Sequence, residues 1–201
     1  LHAVLCLAVS MAVLGAAPRA GRGSADHAAT AQWVQSMSLR DKVAQLIVMP
    51  CFGDNPAARS KAFRDYRHWV RDLHIGGLIV VNRVSRGSVQ SAEPYAMAAF
   101  LNRMQKLSKI PLIIAGDFER GASMRVMNTV KFPHAMAYAA AGDPAATRWL
   151  AGFTAREAHA MGVHWILVPD ADVNNNPENP IINVRSYGED PQVVARHVRA
   201  F

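Results

Sequence analysis

The sequence predicts an α/β fold in which helices cover a parallel sheet. Short continuous apolar segments alternate along the chain with longer segments whose apolar residues recur at helical spacing. The first pattern is typical of strands buried on both faces and the second of amphipathic helices, so their alternation indicates βαβ units. Hydrophobic residues make up 51% of the 201 residues and charged residues 18%, which is enough apolar side chain for a large core.

Two strand–helix units are predicted in the first part of the chain. Ser38, with Asp41 three residues later, has the pattern of a capping box and predicts a helix through LRDKVAQL. The apolar segment LIVMP then predicts a strand that ends at Pro50. Asn55 and Pro56 predict the N-cap and first turn of the next helix, which a pair of glycines ends before the strand GLIVVN.

The same alternation continues to the last residue. Pro94 predicts the start of a helix, and the strand LIIAGD follows it. Asp143 and Pro144 cap a further helix, and VHWILVPDADV predicts the next strand. Pro191 then begins a helical segment that has no stop signal.

The number of units limits the possible architectures. About four βα units are fewer than a closed eight-unit barrel of about 250 residues requires. Two architectures remain, a small open doubly wound sheet and the first half of a TIM-type (β/α)8 barrel, incomplete in this chain. The last helix, which runs on without a stop signal, favours the incomplete barrel.

The N-terminal residues differ in composition from the rest. Residues 1–17 are apolar and rich in small side chains, and a loose polar stretch follows them. This segment is shorter than the roughly 20 residues that span a membrane. We therefore predict a signal peptide and linker over residues 1–28 and the barrel domain over residues 29–201. A secreted or periplasmic location follows from this prediction, with an uncleaved membrane anchor as the alternative.

Charge and motif content exclude several classes of ligand. The net charge of +7 comes from lysines and arginines spread along the chain, without a basic run interleaved with aromatics, so no nucleic-acid partner is expected. No glycine-rich loop of the GxGxxG or Walker type follows a predicted strand, which disfavours phosphate ligands. No cofactor is expected, and a membrane contact is expected only through an uncleaved leader. Cys6 lies in the leader, which leaves Cys51 as a small buried hydrophobe without a disulfide partner.

Polar residues that follow the apolar strands form the candidate site. In parallel α/β folds the ligand lies at the carboxyl ends of the strands. The residues at these positions are acidic or amide-bearing, with few cations: Asn82, Asp117, Glu119, Arg120, Asp170, Asp172 and Arg185. Such a set suits a neutral polyhydroxylated ligand, because carboxylates and a bidentate arginine divide the donors and acceptors of sugar hydroxyls between them.

A metal site is not expected among these residues. His134, His159 and His164 lack the spacing of metal ligands on a helix. Asp170 and Asp172 would point to one side of a strand and could hold a divalent ion, but hydrogen bonding to the next loop is the simpler interpretation.

Three segments of the chain resemble the N-terminal domain of glycoside hydrolase family 3. They are MSLRDKVAQL at residues 37–46, GDFERGASMR at residues 116–125 and DADVNNNPENPIINVRSYGEDP at residues 170–191. The similarity extends over about residues 33–201, with the motifs in the family's order and spacing, and the third motif is long enough to be specific. The DFERG form, with Arg120 where many members have glycine, is similar to the branch that contains N-acetylglucosaminidases.

The resemblance implies two substrate contacts. Asp117 occupies the position of the family aspartate that hydrogen-bonds sugar hydroxyls in the subsite of the non-reducing end. Arg185 occupies the position of the arginine in the family pattern RSFG, which reaches into the same subsite. Here the pattern reads RSYG, so Tyr187 keeps the aromatic ring of the usual phenylalanine.

The residues alone leave alternatives open. Asp117 could cap a helix or brace a loop, and Arg185 could pair on the surface with one of the two acidic residues at positions 189 and 190. Glu119 and Arg120 are expected to form a buried bracing pair rather than to contact the substrate.

The resemblance also implies a reaction. Similar family members are retaining exo-glycosidases that act on β-linked glucose or N-acetylglucosamine residues, and retention needs a carboxylate nucleophile and an acid/base. The family carries both groups on later strands and loops, so no catalytic residue is expected in this chain, which alone should be inactive. β-N-acetylhexosaminidase is the expected activity of the full-length protein, with β-glucosidase as the alternative. A non-catalytic sugar-binding module remains open, whereas an aldolase-like lyase is disfavoured because neither Lys109 nor Lys131 follows a strand.

Overall fold

The structure, a computed structural model, describes residues 22–201, with side chains from residue 27 onward. These residues belong to two compact units that divide between Ser38 and Leu39. In the first unit, helix α1 (Arg22–Ser36) occupies part of the stretch for which the sequence predicts a loose linker. Of the predicted signal peptide and linker over residues 1–28, residues 1–21 lie outside the described residues. None of the described helices is both long and apolar enough to cross a membrane.

The second unit, Leu39–Phe201, contains the remaining elements. In chain order they are α2 (Leu39–Ala44), β1 (Val48–Cys51), α3 (Lys61–Arg67) with a π-helical turn (His68–Asp72), β2 (Gly77–Val80), β3 (Arg83–Ser85), β4 (Ser88–Gln90), α4 (Pro94–Leu107), β5 (Ile113–Gly116), a 3-10 turn (Ala122–Met124), α5 (Ala135–Ala140), α6 (Pro144–Ala160), β6 (Trp165–Ile166), a second 3-10 turn (Asn183–Arg185) and α7 (Pro191–Ala200).

Four of the strands form a parallel sheet in the order β1-β2-β5-β6, and β3 pairs with β4 in a separate antiparallel hairpin. Val48, Gly77 and Ile113 are partners at the same level of the first three strands. Successive strands of the parallel sheet are therefore neighbours in space, without the reversal of strand order that a doubly wound sheet contains. The predicted α/β class and the partial barrel architecture are confirmed.

The main core lies between this sheet and the helices that cover it. Its fully buried members come mainly from β2, β5 and α4, namely Leu78, Val80, Ile114, Met97, Phe100 and Met104. Cys51 belongs to the same core, and its burial raises the pKa of the thiol to about 12. Cys51 is thus an unreactive hydrophobic residue, as predicted.

A second apolar cluster joins α5, α6 and α7 to the RSYG segment. Its buried residues are Phe132, Tyr138, Leu150, Tyr187 and Val194. The ring of Tyr187 stacks on His197 with 4.9 Å between centroids, and the Nδ1 atom of His197 lies 2.8 Å from the Thr147 hydroxyl. The segment that carries Arg185 is therefore anchored to the helical layer through its neighbour two residues later.

Two predicted element boundaries are wrong. Helix α3 begins after Ser60, whose hydroxyl accepts a hydrogen bond from Phe63 N at 3.1 Å, and not at Asn55, whose side chain accepts from Arg103 instead. Strand β6 is much shorter than the predicted VHWILVPDADV. Pro169 has no N–H to donate, and no described strand lies beyond β6 to extend the pairing.

Gly76 allows the connection between α2 and β1 to contact β2 closely. Its N–H donates to Ala44 O and Ile47 O, both at 3.0 Å, and its carbonyl accepts from Ile113 N at 2.9 Å. A Cβ added at this position would lie 2.0 Å from Gln45 O, a backbone atom that cannot move without breaking this junction.

We predict that Gly76→Ala lowers the free energy of unfolding by about 2 kcal/mol or more, because the methyl group displaces the backbone at a junction of three segments. Gly152→Ala is the matched control. Gly152 lies inside α6, and the nearest atom to its added Cβ is Arg156 Nη1 at 3.6 Å. This control should gain roughly 0.5–1 kcal/mol from helix propensity. Equal effects of the two substitutions in denaturant unfolding would contradict the packing at Gly76.

Candidate functional site

The carboxyl ends of three neighbouring strands bring the predicted site residues to one edge of the sheet. Asn82 follows β2, Asp117 follows β5, and Asp170 follows β6. Arg185 lies in the 3-10 turn that ends the long loop after β6. All four side chains are neither fully buried nor fully exposed, so they belong to an accessible edge of the core. The structure thus brings the two predicted substrate contacts to the same edge.

Arg185 is held by carboxylates from two other segments. Its Nε donates to Glu119 Oε2 and its Nη2 to Glu119 Oε1, each at 2.9 Å, which is a bidentate pair. Nη2 also lies 3.0 Å from Asp170 Oδ2, and Nη1 donates to Ile181 O at 3.3 Å. The hydrogen bonds from Arg185 to Glu119 are the main reason that the pKa of Arg185 is raised, and the negative charge of Glu119 adds to this effect. A third of the Arg185 side chain stays exposed, which leaves guanidinium surface for a ligand.

Two pairings considered from the sequence are corrected by this geometry. Glu119 pairs with Arg185 and not with its neighbour Arg120, whose Nε is buried without a hydrogen-bond partner among the described residues. The alternative of a surface pair between Arg185 and residue 189 or 190 is also wrong. The partners of Arg185 come from the ends of β5 and β6, because the loop after β6 folds back over the sheet edge.

Asp170 contacts Arg185 and is close enough to Asp117 for the two carboxylates to interact. Its pKa is raised, first by burial and then by the nearby negative charge of Glu119, while Arg185 partly offsets these effects. The carboxylates of Asp172 and Asp117 also raise the pKa, so both act on Asp170 electrostatically. Asp170 Oδ2 is buried and contacts Arg185 without an aligned hydrogen bond. The carboxylates and Arg185 therefore form one electrostatic cluster.

Asp117 is fixed by an arginine from its own motif. Arg125 Nη2 lies 3.0 Å from Asp117 Oδ2, and Arg125 Nη1 donates to Asn82 Oδ1. No described residue donates to Asp117 Oδ1, and the side chain is 34% exposed. Asp117 does not cap any described helix, so the remaining oxygen is available to a ligand.

The long loop before Arg185 is built from turns in which asparagine side chains bind the backbone. Asn176 Oδ1 accepts from Glu178 N at 3.1 Å, and Asn179 Oδ1 accepts from Ile181 N at 3.0 Å. Asn174 N donates to Gly188 O at 2.9 Å, which closes the base of the loop. These contacts explain why this stretch is rich in asparagine and proline, since such turns and prolines restrict the chain before a ligand binds.

Two residues near the cluster were not assigned to it from the sequence. Arg125 lies within the motif GDFERGASMR, but its pairing with Asp117 depends on a reversal of the chain, which cannot be inferred from the number of residues between them. His134 was considered only as a metal ligand. Its Nδ1 is buried without a hydrogen-bond partner among the described residues, and its pKa is lowered by burial first and then by the positive charge of Arg120. His134 is therefore a neutral neighbour of the cluster at neutral pH.

The two aspartates that were considered for a metal do not share a strand face. Both lie beyond the end of β6, where Asp170 is half-buried beside Arg185 and Asp172 is exposed. In residues 22–201 no group of three or more His, Cys, Asp or Glu side chains has a geometry that could hold a metal ion.

Comparison with known proteins identifies the family. Residues 38–201 match the Glycosyl hydrolase family 3 N terminal domain. The beta-N-acetylglucosaminidase/beta-glucosidase of Cellulomonas fimi is 29% identical over 168 residues, which cover 81% of this chain and 27% of that protein.

Two solved structures share the fold. The glycoside hydrolase family 3 beta-N-acetylglucosaminidase from Paenibacillus sp. str. FPU-7 has a TM-score of 0.68 and 31% identity, covering 82% of this chain and 30% of its own. Beta-glucoside phosphorylase BglX bound to 2FGlc has a TM-score of 0.72 and 31% identity, and the match covers 86% of this chain and 29% of the phosphorylase chain. This chain spans less than a third of the length of each of these relatives. Because the family match extends over the whole second unit, the chain belongs to Glycosyl hydrolase family 3 and forms part of the N-terminal domain of that family.

Proposed function

We propose that this chain forms part of the sugar subsite of a retaining exo-acting β-N-acetylhexosaminidase. The observation that carries the proposal is the cluster at the sheet edge, in which Arg185 and Asp117 are each fixed by a partner and each keep accessible polar atoms. Arg185 would donate to hydroxyl oxygens of the terminal sugar, and Asp117 Oδ1 would accept from a sugar hydroxyl. Such pre-oriented contacts position the glycosidic bond for catalytic groups elsewhere in the protein.

The charge of the cluster favours a neutral sugar. The cluster contains four carboxylates, from Asp117, Glu119, Asp170 and Asp172, and the guanidinium groups of Arg185 and Arg125, with Arg120 close by. This excess of negative charge disfavours uronic acids and sugar phosphates, because like charges repel strongly at a partly buried site. Glucose and N-acetylglucosamine are both neutral and fit this requirement.

N-acetylglucosamine is the sugar we favour, for two reasons. The DFERG form of the motif is similar to the N-acetylglucosaminidase branch, and the relatives from Cellulomonas fimi and Paenibacillus sp. are named for that activity. β-Glucosidase is the second candidate, because the Cellulomonas fimi protein is also named for it and another relative is a beta-glucoside phosphorylase.

We predict that Asp117→Ala in the protein expressed from its complete gene lowers kcat/KM for nitrophenyl β-N-acetylglucosaminide by roughly 30-fold or more. The expected loss corresponds to about 2 kcal/mol for one hydrogen bond to a charged group. Asp65→Ala is the matched control. Asp65 lies on α3, where it binds Lys61 at 2.7 Å, and its removal should leave kcat/KM unchanged.

The two nitrophenyl substrates separate the candidate functions. Faster cleavage of the β-N-acetylglucosaminide supports the proposal, and faster cleavage of the β-glucoside supports the second candidate. Sugar binding without cleavage of either would indicate a binding module. An unchanged kcat/KM in Asp117→Ala would contradict the assignment of the site.

The ionisation of Asp170 makes the stability of the folded state depend on pH. A carboxyl whose pKa is raised in the folded state contributes stability below its ordinary pKa of 3.8 and loses that contribution as the pH rises through the folded value. At pH 7 the ionised Asp170 therefore opposes folding, through burial and through the neighbouring carboxylates.

We predict that Asp170→Asn raises the Tm relative to the wild type more at pH 7 than at pH 4, because the amide removes a charge that is costly only when ionised. Thermal unfolding at the two pH values measures this. Glu178→Asn is the control. Because Glu178 is exposed in the long loop, this substitution should change the Tm by the same small amount at both pH values. A Tm difference for Asp170→Asn that is larger at pH 4 would show that the attraction of Arg185 dominates.

We also propose that the protein is exported to the periplasm or outside the cell. The apolar, small-residue composition of residues 1–17 supports this. In cell fractionation, the tagged full-length protein should be found in the periplasm or medium, and a variant without residues 1–28 should stay in the cytoplasm. Recovery of the full-length protein from the membrane fraction would instead support the uncleaved anchor.

A further inference from the structure

We propose that His197 is a positioning residue, which holds the segment of Arg185 in place for the sugar only while its buried imidazole is neutral. This inference rests on the proposed function. His197 lies on α7, and its side chain is 2% exposed. The ring and hydrogen-bond contacts of its side chain in the described part of the chain are with Tyr187 and Thr147. Any effect of His197 on the sugar must therefore pass through the RSYG segment.

The imidazole of His197 joins the RSYG segment to two helices. Its ring lies almost parallel to that of Tyr187, with 18° between the planes and 4.9 Å between the centroids. Its Nδ1 atom lies 2.8 Å from Oγ1 of Thr147 on α6, and both Thr147 and Tyr187 are buried. Helices α6 and α7 and the RSYG segment therefore meet at this one side chain, and its contacts determine where Tyr187 lies.

The connection from Tyr187 to Arg185 is short and well held. Only Ser186 separates them, and Ser186 is fully buried. The Ser186 N–H donates to Asn183 O at 3.2 Å, and its hydroxyl donates to Asp172 O. Because buried, hydrogen-bonded backbone transmits displacement, a shift of Tyr187 also moves the backbone of Arg185.

The surroundings of His197 do not stabilise a positive charge. The groups that contact its ring, the hydroxyl of Thr147 and the phenol of Tyr187, are uncharged. Tyr138 of α5 lies near Tyr187, and burial raises the pKa of both phenols, that of Tyr187 to about 12. A buried imidazole with only uncharged partners favours its neutral form.

The charged groups farther away do not reverse this preference. The pKa of His197 is lowered, first by burial and then by the positive charge of Arg196 on the same helix, and the negative charge of Asp143 at the start of α6 offsets these effects only in part. A histidine whose pKa is lowered on folding does not affect stability above its ordinary pKa of 6.5, and it destabilises the fold as the pH falls below that value. The contacts of His197 are thus intact at neutral pH and weakened in mildly acidic solution.

The test measures the Kd of N-acetylglucosamine by calorimetry at pH 7.5 and pH 5, in the protein expressed from its complete gene. The affinity of the wild type should fall roughly tenfold between the two, because the sugar binds the neutral state more tightly. His197→Phe keeps a ring against Tyr187 but cannot be protonated. It should bind about threefold more weakly than the wild type at pH 7.5, because the contact with Thr147 is lost, and should lose little further at pH 5. His159→Phe is the matched control, since His159 is exposed on α6, and it should show the full decrease of the wild type.

Calorimetry also separates positioning from a loss of folded protein. Positioning predicts a higher Kd at pH 5 with an unchanged number of sites, whereas unfolding lowers the number of sites and leaves the Kd of the folded fraction unchanged. The second result would overturn the inference. Asp170 and His134 also titrate near the proposed subsite, but both are present in every variant, so the difference between the wild type and His197→Phe belongs to His197.

The remaining outcomes separate this inference from the proposed function. If the wild type binds the sugar at pH 7.5 and His197→Phe loses as much affinity at pH 5 as the wild type does, the inference fails and the proposed function stands. The same holds if the wild type loses no affinity at pH 5. If the wild type binds neither N-acetylglucosamine nor glucose at pH 7.5, both fail. His197→Gln, which is neutral at both pH values and keeps hydrogen-bonding groups, provides the same comparison if His197→Phe does not fold.

Discussion

The bidentate ion pair between Arg185 and Glu119 is the contact on which the rest of the site depends. It joins the loop after β6 to the segment after β5, two parts of the chain that are 66 residues apart. Both partners are largely shielded from water, with 33% and 17% of their side chains exposed. Breaking such a pair leaves an uncompensated charge, so the loop is held over the sheet edge more firmly than its exposed turns alone would hold it. The direction in which Arg185 faces a ligand follows from this constraint.

The two arginines at the edge contact different partners. Arg185 is held by acidic groups and keeps exposed guanidinium surface, whereas Arg125 contacts the carboxylate of Asp117. In the proposed subsite, Asp117 and Arg185 would therefore each be held by a protein partner before a sugar binds. Pre-orientation lowers the entropy lost on binding, which is significant for sugars because each hydroxyl contact is individually weak.

The sequence predicted the sheet and most helices because local signals decide them. The strand GLIVVN and the Asp143–Pro144 cap both appear as predicted, since continuous apolar segments and N-caps act over a few residues. The hairpin β3–β4 was not predicted, because each of its exposed strands has three residues and one apolar side chain, Val84 or Val89, which is too few to show a period. Asp117 and Arg185 were found through motifs, but their partners were not. Glu119 was assigned to Arg120 by adjacency, whereas the pairing with Arg185 depends on how a distant loop folds back.

If the proposed subsite is correct, Asp117 and Arg185 contact the same sugar. A crystal structure of the protein expressed from its complete gene, with N-acetylglucosamine bound, tests it most directly. One sugar is expected at the edge formed by β2, β5 and β6, with a hydroxyl on Asp117 Oδ1, another on the Arg185 guanidinium, and the Arg185–Glu119 pair intact. A sugar bound elsewhere, or one that touches neither side chain, would contradict it.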